Sequence, residues 1–292
     1  MKEYIQNIEL KRIYTDGSHG PSVVVNGKTI PYITFSVFDR FKGQMQAIFT
    51  TRLGGVSTGD CASLNLSFTR GDQPDAVLEN FKLVGQELGI ELTQFVCSMQ
   101  THTTNIRQIT QKDAGKGVVK DLDYENIDGL ITNEPGLCLS LFYADCVPVY
   151  FYDPVNRAIG VAHSGWKGTV GQISAKMLMH MKLAFGTNPK EVYVAIGPSI
   201  CQGCYEVSED VALEFQKVYR TDSILAKGKA EKKYQLNLWE AISQTLLLSG
   251  VLEDHIQRPD ICTCCNPEIF FSHRASGGKR GNLGAFMMLN GD

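Results

Sequence analysis

Cysteine and histidine, which bind metals and attack or deprotonate carbon centres, frame the segment ADCVPVYFYDPVNRAIGVAHSGWKG at residues 144–168. Cys146 precedes the apolar run VPVYFY and His163 closes the run AIGVAHS, with the turn-forming sequence Asp153-Pro154-Val155-Asn156 between them. Pairing Tyr152 with Arg157 across that loop sets Cys146 directly opposite His163, with Cβ atoms about 5 Å apart. A thiolate and a neutral imidazole so placed are two ligands for zinc, or equally a nucleophile and its base. Buried packing of both side chains is the bland alternative. Ser-Gly-Trp-Lys-Gly after His163 weakens it, because two glycines around an aromatic face and a cation suit a backbone held close to a ligand.

A catalytic zinc needs a third protein ligand and leaves a fourth position open to water. Six histidines are available. His19 lies in a glycine-rich polar loop, His255 in a charged one, His180 inside a helical pattern and His273 in the arginine-rich FFSHRASGGKRG. His102, in SMQTHTTNI, ends one sheet-like run just before another starts, a position where ligands are commonly displayed. Asp145, beside the cysteine, is a candidate proton carrier or a capping group. Phosphate-type anions would look to Arg52 beside the Gly54-Gly55 turn, then to Lys167 and Arg274. A rival metal site is written in Cys201-x-x-Cys204 with Cys262, Cys264 and Cys265, which have the spacing of a structural zinc.

These residues must be carried by a sizeable core, and 292 residues with 43% hydrophobic and 20% charged side chains are ample for one. The balance of 28 basic against 31 acidic residues, net −3, provides no field for nucleic acid. No apolar run approaches the ~20 residues of a membrane helix, and MKEYIQNIELKRIYTDG lacks the apolar region of a secretory signal. Nine cysteines without such a signal point to reduced thiols or metal ligands, hence a soluble cytoplasmic protein. Helices are expected over 74–89, 168–186, 208–219 and 236–249. Sheet-like runs cluster between them (AIFTTR, FVCSMQTH, NIRQIT, DGLIT, LCLSLFYA, VPVYFYD, AIGVAHS, VYVAIGP) and at the end (GAFMMLN). Consecutive strands with scattered helices predict a mixed or antiparallel sheet system with helices packed outside it. The lysine-rich stretch 220–235 reads as a surface loop. One domain over 1–292 is expected, with 1–45 as an N-terminal extension packed on it.

Taken in order, FTTRLGGVS, LNLS, QTHTTN, DGLITNEPG, ADCVPVYFYD, GVAHSGWKGTV, AIGPSICQGCYEV and FFSHRASGG resemble the laccase-domain family, from about Phe49 to the C-terminus. That family was formerly labelled multicopper polyphenol oxidase and is now understood as purine nucleoside phosphorylases with adenosine deaminase activity. The resemblance implies an α/β (α+β) single domain, a mixed β-sandwich core flanked by helices. It also implies a zinc on His102, Cys146 and His163. The reactions implied are phosphorolysis of adenosine, inosine and S-methyl-5′-thioadenosine, and hydrolytic deamination of adenosine, with small nucleosides and phosphate as partners. This chain departs from the family pattern at Thr103, at Phe81 and at Gly278-Lys279-Arg280, which blurs any role for Arg280. Copper chemistry of the older label needs several metal sites, which six histidines cannot supply. Two other readings fit the residues: a Cys146–His163 thiol hydrolase or deamidase, and a zinc-stabilised binding module without catalysis.

Overall fold

The apolar runs in the middle of the chain are strands buried on both faces, which is why they read as nearly continuous rather than alternating. The computed structural model describes residues 10–13 and 22–291; His19 lies outside them. In chain order the strands are β1 (Ser22–Asn26), β2 (Pro31–Phe35), β3 (Met45–Thr50), β4 (Phe95–Cys97), β5 (Ile106–Gln108), β6 (Gly129–Thr132), β7 (Cys138–Tyr143) and β8 (Val147–Asp153). They continue as β9 (Ala158–Ser164), β10 (Tyr193–Ile196), β11 (Glu206–Ser208), β12 (Leu225–Lys227), β13 (Lys233–Leu236), β14 (Ile256–Gln257) and β15 (Leu283–Leu289). The α-helices are α1 (Pro74–Leu88), α2 (Trp166–Val170), α3 (Ile173–Phe185), α4 (Glu209–Val218), α5 (Leu238–Leu248) and α6 (His273–Ser276).

Two six-stranded sheets, ordered β1-β2-β3-β15-β7-β4 and β14-β10-β8-β9-β6-β5, pack face to face. Their strand pairs are antiparallel except β4–β7, β5–β6 and β10–β14. Phe49, Leu141, Tyr143 and Met287 of the first sheet meet Tyr150, Tyr152, Ile159 and Val161 of the second in the central core. Alternate residues of the same strands face outward: Val147, Val149 and Phe151 pack under Met177 of α3, Phe215 of α4 and Ile242 of α5. On the opposite side, α1 lays Val77, Phe81 and Val84 against Ile48, Phe95 and Phe286. The architecture is a single mixed α/β domain, a β-sandwich with helices on both outer faces.

Local chemistry explains the boundaries. Helix α1 has Pro74 at its first turn and stops at Gly89, whose φ of 71° is left-handed. The single helix expected over 168–186 is two, because Gln172 takes a φ of 55° and breaks the ladder after α2. The stretch 220–235, expected as a loop, forms the β12–β13 hairpin, which pairs with β11 in a separate three-stranded sheet. Residues 22–35, within the expected extension, supply two strands of the first sheet. No described helix is long and apolar enough to cross a membrane.

The β8–β9 register is shifted by two residues from the sequence expectation: Asp153 pairs with Ala158 and Pro148 with His163. The turn therefore spans Pro154 to Arg157. The Asp153 carboxylate fixes it, accepting from Val155 N (2.9 Å), Asn156 N (3.1 Å) and Asn156 Nδ2 (2.8 Å), and Arg157 takes a φ of 47°. Cys146 consequently lies beyond the end of β8, not directly opposite His163.

Candidate active site

Asp128, the residue before β6, is fully buried and organises the site. Its Oδ1 accepts from His163 Nδ1 (2.7 Å) and His102 N (3.0 Å). Its Oδ2 accepts from Thr101 N (3.1 Å), Thr103 N (2.8 Å) and Thr103 Oγ1 (2.8 Å). One carboxylate thus orients an imidazole on β9 and shapes the loop that carries a second imidazole. His102 itself has a φ of 65°, a conformation rare outside glycine and held here by those bonds. The Asp128 backbone carbonyl also accepts from His163 N at 2.7 Å.

His102, Cys146 and His163 converge, with their nearest ligand atoms all within 4.8 Å of one another. His102 Nε2 lies 3.9 Å from Cys146 Sγ, close to the roughly 3.5 Å expected between nitrogen and sulfur ligands of one tetrahedral zinc. Because Asp128 engages His163 Nδ1, the Nε2 of that ring is the atom left for a ligand, an arrangement typical of metal-binding histidines. Gly165 is required beside them. A Cβ there would stand 3.0 Å from His102 Cδ2 and 3.1 Å from Cys146 Sγ.

The electrostatics favour a bound cation or an internal ion pair. Burial works against a charged His163, but the Cys146 thiolate and Asp128 outweigh it and raise the imidazole to about 9. Burial likewise opposes ionisation of Cys146, yet His163 and His102 pull the thiol down to about 6. Asp128, despite burial, is held below the ordinary carboxylate value by His163 and the Thr103 donors.

These groups form part of the wall of a cavity of about 610 Å³, a size suited to a small organic ligand. Phe68, Met99, Phe142, Trp166 and Tyr205 give it apolar surface. Arg70, Arg274 and Arg280 bring positive charge, His273 adds an imidazole, and Asp145 is the one carboxylate among the described lining residues. Asp145 takes a φ of 85° and is already occupied: Oδ1 accepts from Thr263 Oγ1 and Oδ2 from Arg274 N, each at 2.7 Å. Arg280 is half-buried, with its Nε lacking a partner. Burial and the neighbouring Arg70 push its guanidinium down to about 10. Burial and Arg280 also hold His273 below its ordinary value.

Two of the cations expected to bind phosphate lie elsewhere. Arg52 does not line the cavity. Its Nε and one terminal nitrogen donate to the Ala62 carbonyl (2.9 and 2.7 Å), the other to the Pro267 carbonyl (3.0 Å), and the plane stacks on Phe271. Lys167 is exposed and lies over the Trp166 ring, also outside the lining. Arg274 does line the cavity, but its guanidinium donates to the carbonyls of Cys204 (3.0 Å) and Glu206 (3.2 Å). Asp128, Arg70 and the cavity aromatics other than Trp166 are not among the residues expected from the sequence. Asp128 stands at the head of DGLIT, the point where a polar residue opens an apolar strand, and that was its only visible signal. The other cysteine group also assembles: the sulfurs of Cys201, Cys204, Cys262 and Cys265 lie within 4.8 Å of one another, whereas Cys264 is not in the set.

The family profile described as multi-copper polyphenol oxidoreductase laccase matches residues 46–290. The chain belongs to that family. It is 37% identical over 240 residues to the purine nucleoside phosphorylase YlmD of Bacillus subtilis, covering 82% of this chain and 86% of that protein. A purine nucleoside phosphorylase of Bacteroides thetaiotaomicron is 36% identical over 245 residues, covering 82% and 90% respectively. Among solved structures, the YfiH protein of Bacillus licheniformis superposes with a TM-score of 0.85 at 34% identity, over 91% of this chain and 99% of that one. YlmD of Geobacillus stearothermophilus gives 0.84 at 33% identity, over 93% and 100%. Family membership and fold are thereby shown together, and the matched region contains every residue of the His102–Cys146–His163 set.

Proposed function

We propose that this protein is a purine nucleoside phosphorylase whose cavity also supports hydrolytic deamination of adenosine, with zinc held by His102, Cys146 and His163. The observation that carries the phosphorolysis reading is the charge of the cavity. Arg70 and Arg280 line a space whose one carboxylate among the described residues, Asp145, already accepts from two donors. Cations brought together against their mutual repulsion make a site for an anion, and guanidinium groups suit phosphate. The aromatic and thioether side chains of the same wall suit a flat purine.

In phosphorolysis a phosphate oxygen bonds to C1′ of the ribose as the C1′–N9 bond breaks, and the electron pair leaves with the purine. Arg70 and Arg280 hold the phosphate and offset its charge as it approaches C1′. Phe68, Phe142 and Tyr205 fix the base and exclude water from the reacting face. A zinc ion in the His-Cys-His set would supply a Lewis acid and a water of lowered pKa, the chemistry that deamination at C6 requires. In this reading His163 is kept by Asp128 as a donor at Nδ1, Gly165 keeps the ligand space open, and Asp145 is the carboxylate of the cavity lining through which a proton could pass. Adenosine, inosine and S-methyl-5′-thioadenosine are the substrates proposed, in a cytoplasmic setting that keeps the cysteines reduced.

Incubating the pure protein with adenosine, with and without phosphate, tests the assignment. Adenine and ribose 1-phosphate should form only with phosphate, and inosine in either case. Absence of base release in saturating phosphate would remove the phosphorylase reading.

One observation favours a second reading. Cys146, His163 and Asp128 are aligned as thiol, base and orienting carboxylate, and the first two shift toward a thiolate–imidazolium pair. Alkylation of Cys146 separates the cases: protection that is lost on chelation marks a zinc ligand, and rapid labelling of the untreated protein marks a nucleophile.

A further inference from the structure

The cysteines on the far side of Asp145 form a group that the chemistry above does not use. Two C-x-x-C segments, Cys201-Gln-Gly-Cys204 and Cys262-Thr-Cys-Cys265, lie side by side. A bridge between Ser199 and Cys262 aligns them, with Thr263 N donating to Ser199 O at 3.1 Å. Each segment is a tight turn. Cys204 N donates to Cys201 O (3.1 Å), and Asn266 caps the second turn through Nδ2 to Cys262 O (2.8 Å). Cys201 N also donates to Cys262 Sγ at 3.2 Å, a bond that favours sulfur carrying negative charge.

We propose that Cys201, Cys204, Cys262 and Cys265 hold a second zinc ion in a closed tetrathiolate site. Zinc–sulfur bonds of about 2.3 Å put tetrahedral sulfurs roughly 3.8 Å apart. Here Cys204 and Cys265 sulfurs are 3.4 Å apart, and all four lie within 4.8 Å of one another. Two of the ligands, Cys201 and Cys262, are buried, and the other two are half-buried, so the ion would be shielded. With four protein ligands no position is left for substrate or water, which makes the role structural. The ion would tie the 199–205 turn to the 261–266 turn directly behind the cavity. Thr263, between two of the ligands, donates to Asp145 Oδ1, and Ile200, next to another, donates its N–H to Asp145 O at 3.0 Å. Asp145 immediately precedes Cys146, so the second ion would position the strand end on which the first site is built.

The test is metal content of the full chain, independent of activity. Native mass spectrometry of protein purified with zinc should show two zinc ions per chain. His102→Ala should keep one, and the Cys204→Ser/Cys265→Ser double variant should also keep one, with a lowered Tm. Replacing zinc by cobalt should give the strong visible and sulfur charge-transfer bands of a tetrathiolate, still present in His102→Ala. If the double serine variant does not fold, the wild-type stoichiometry and the cobalt spectrum of His102→Ala decide alone. A single zinc per chain that vanishes in His102→Ala, iron in place of the second zinc, or a Cys204–Cys265 disulfide in a non-reducing peptide map of fresh protein would each overturn the proposal.

Discussion

Replacing Asp128 by asparagine removes one acceptor oxygen and the charge while leaving the shape intact. The carboxylate accepts five hydrogen bonds, two on Oδ1 and three on Oδ2. If the amide oxygen faces the Thr101 and Thr103 donors, its NH2 group meets His102 N–H and His163 Nδ1. The first of these is then a part-buried donor without an acceptor, which costs about 1 kcal/mol, the low end for an orphaned donor. The remaining bonds lose their charge assistance and weaken by about half. The opposite orientation orphans two backbone donors and is worse. A loss of about 3 kcal/mol in unfolding free energy follows, together with a specific chemical change. His163 can satisfy the new NH2 only by accepting at Nδ1, which moves the ring proton to Nε2, the atom needed for a metal.

Two measurements therefore move together in Asp128→Asn. Urea unfolding should show the stability loss, and zinc affinity, measured by competition with a chelator, should fall about 10- to 100-fold. Nitrogen-15 shifts of the His163 ring in the metal-free protein, recorded above about pH 9 where the imidazole is neutral, should report the exchanged tautomer. Wild-type zinc affinity with an unchanged tautomer would refute the assignment of Asp128 as the orienting group, whatever happens to stability.

Gly165→Ala is compatible with the backbone, since φ is −71°, but its methyl would crowd His102 and Cys146; metal content should drop while the Tm stays near wild type. Arg280→Gln and Arg70→Gln should each raise the KM for phosphate about tenfold and leave deamination, which uses no phosphate, within about twofold, one bidentate contact being worth about 1.5 kcal/mol. Arg52→Ala should instead lower stability by about 2–3 kcal/mol, as its carbonyl partners lose their donors, with the phosphate KM unchanged. In the chelated protein, the rate of Cys146 alkylation should rise with pH around about 6 instead of near 9, because His163 and His102 outweigh burial; a midpoint at the ordinary thiol value would dissolve the ion pair. Asp113, where Lys116, Thr110 N and Arg107 outweigh burial, is held at about 2 against an ordinary 3.8. Its contribution is intact above about 4 and is lost as pH falls toward 2, so Asp113→Asn should flatten the acid-unfolding slope in that window.

The layers of the sandwich were legible because both faces of β8 and β9 are covered, which leaves long apolar runs that allow few alternatives. The β12–β13 hairpin was not legible, because its exposed lysines hide the contacts of Tyr234 and Leu236 beneath α4 and α5. His102, Cys146 and His163 converge despite the wrong register, for a physical reason. Cys146 acts from beyond the strand end, where the backbone at Asp145 turns to a φ of 85° and aims the thiol back toward His163. No pattern in ADCVPVYFYD announces that turn, since aspartate in a left-handed conformation has the same one-letter code as aspartate in a strand. Cys146 and His163 come together as expected, through a different pairing.

The arginines expose a different limit, and it bears on how the anion site should be understood. Arg52, beside two glycines, has the better sequence credentials, yet both of its terminal nitrogens and its Nε meet backbone carbonyls. Arg280 sits in a stretch that departs from the family pattern, yet it lines the cavity, with Nη1 donating to Gly281 O and Asn282 Oδ1 and Nη2 making no hydrogen bond among the described residues. A guanidinium binds a ligand with the donors that the fold leaves unused. Which donors those are depends on carbonyl groups from distant segments, here residues 62 and 267 for Arg52, and such neighbours are invisible along the chain. The pairing of half-buried Arg280 with exposed Arg70 follows the same logic, because the like charge of Arg70 works against a charged Arg280 in the empty protein. Phosphate removes that repulsion when it binds, so the protein should gain thermal stability with phosphate in the wild type and lose that gain in Arg280→Gln. A melting temperature equally raised by phosphate in both would place the anion elsewhere.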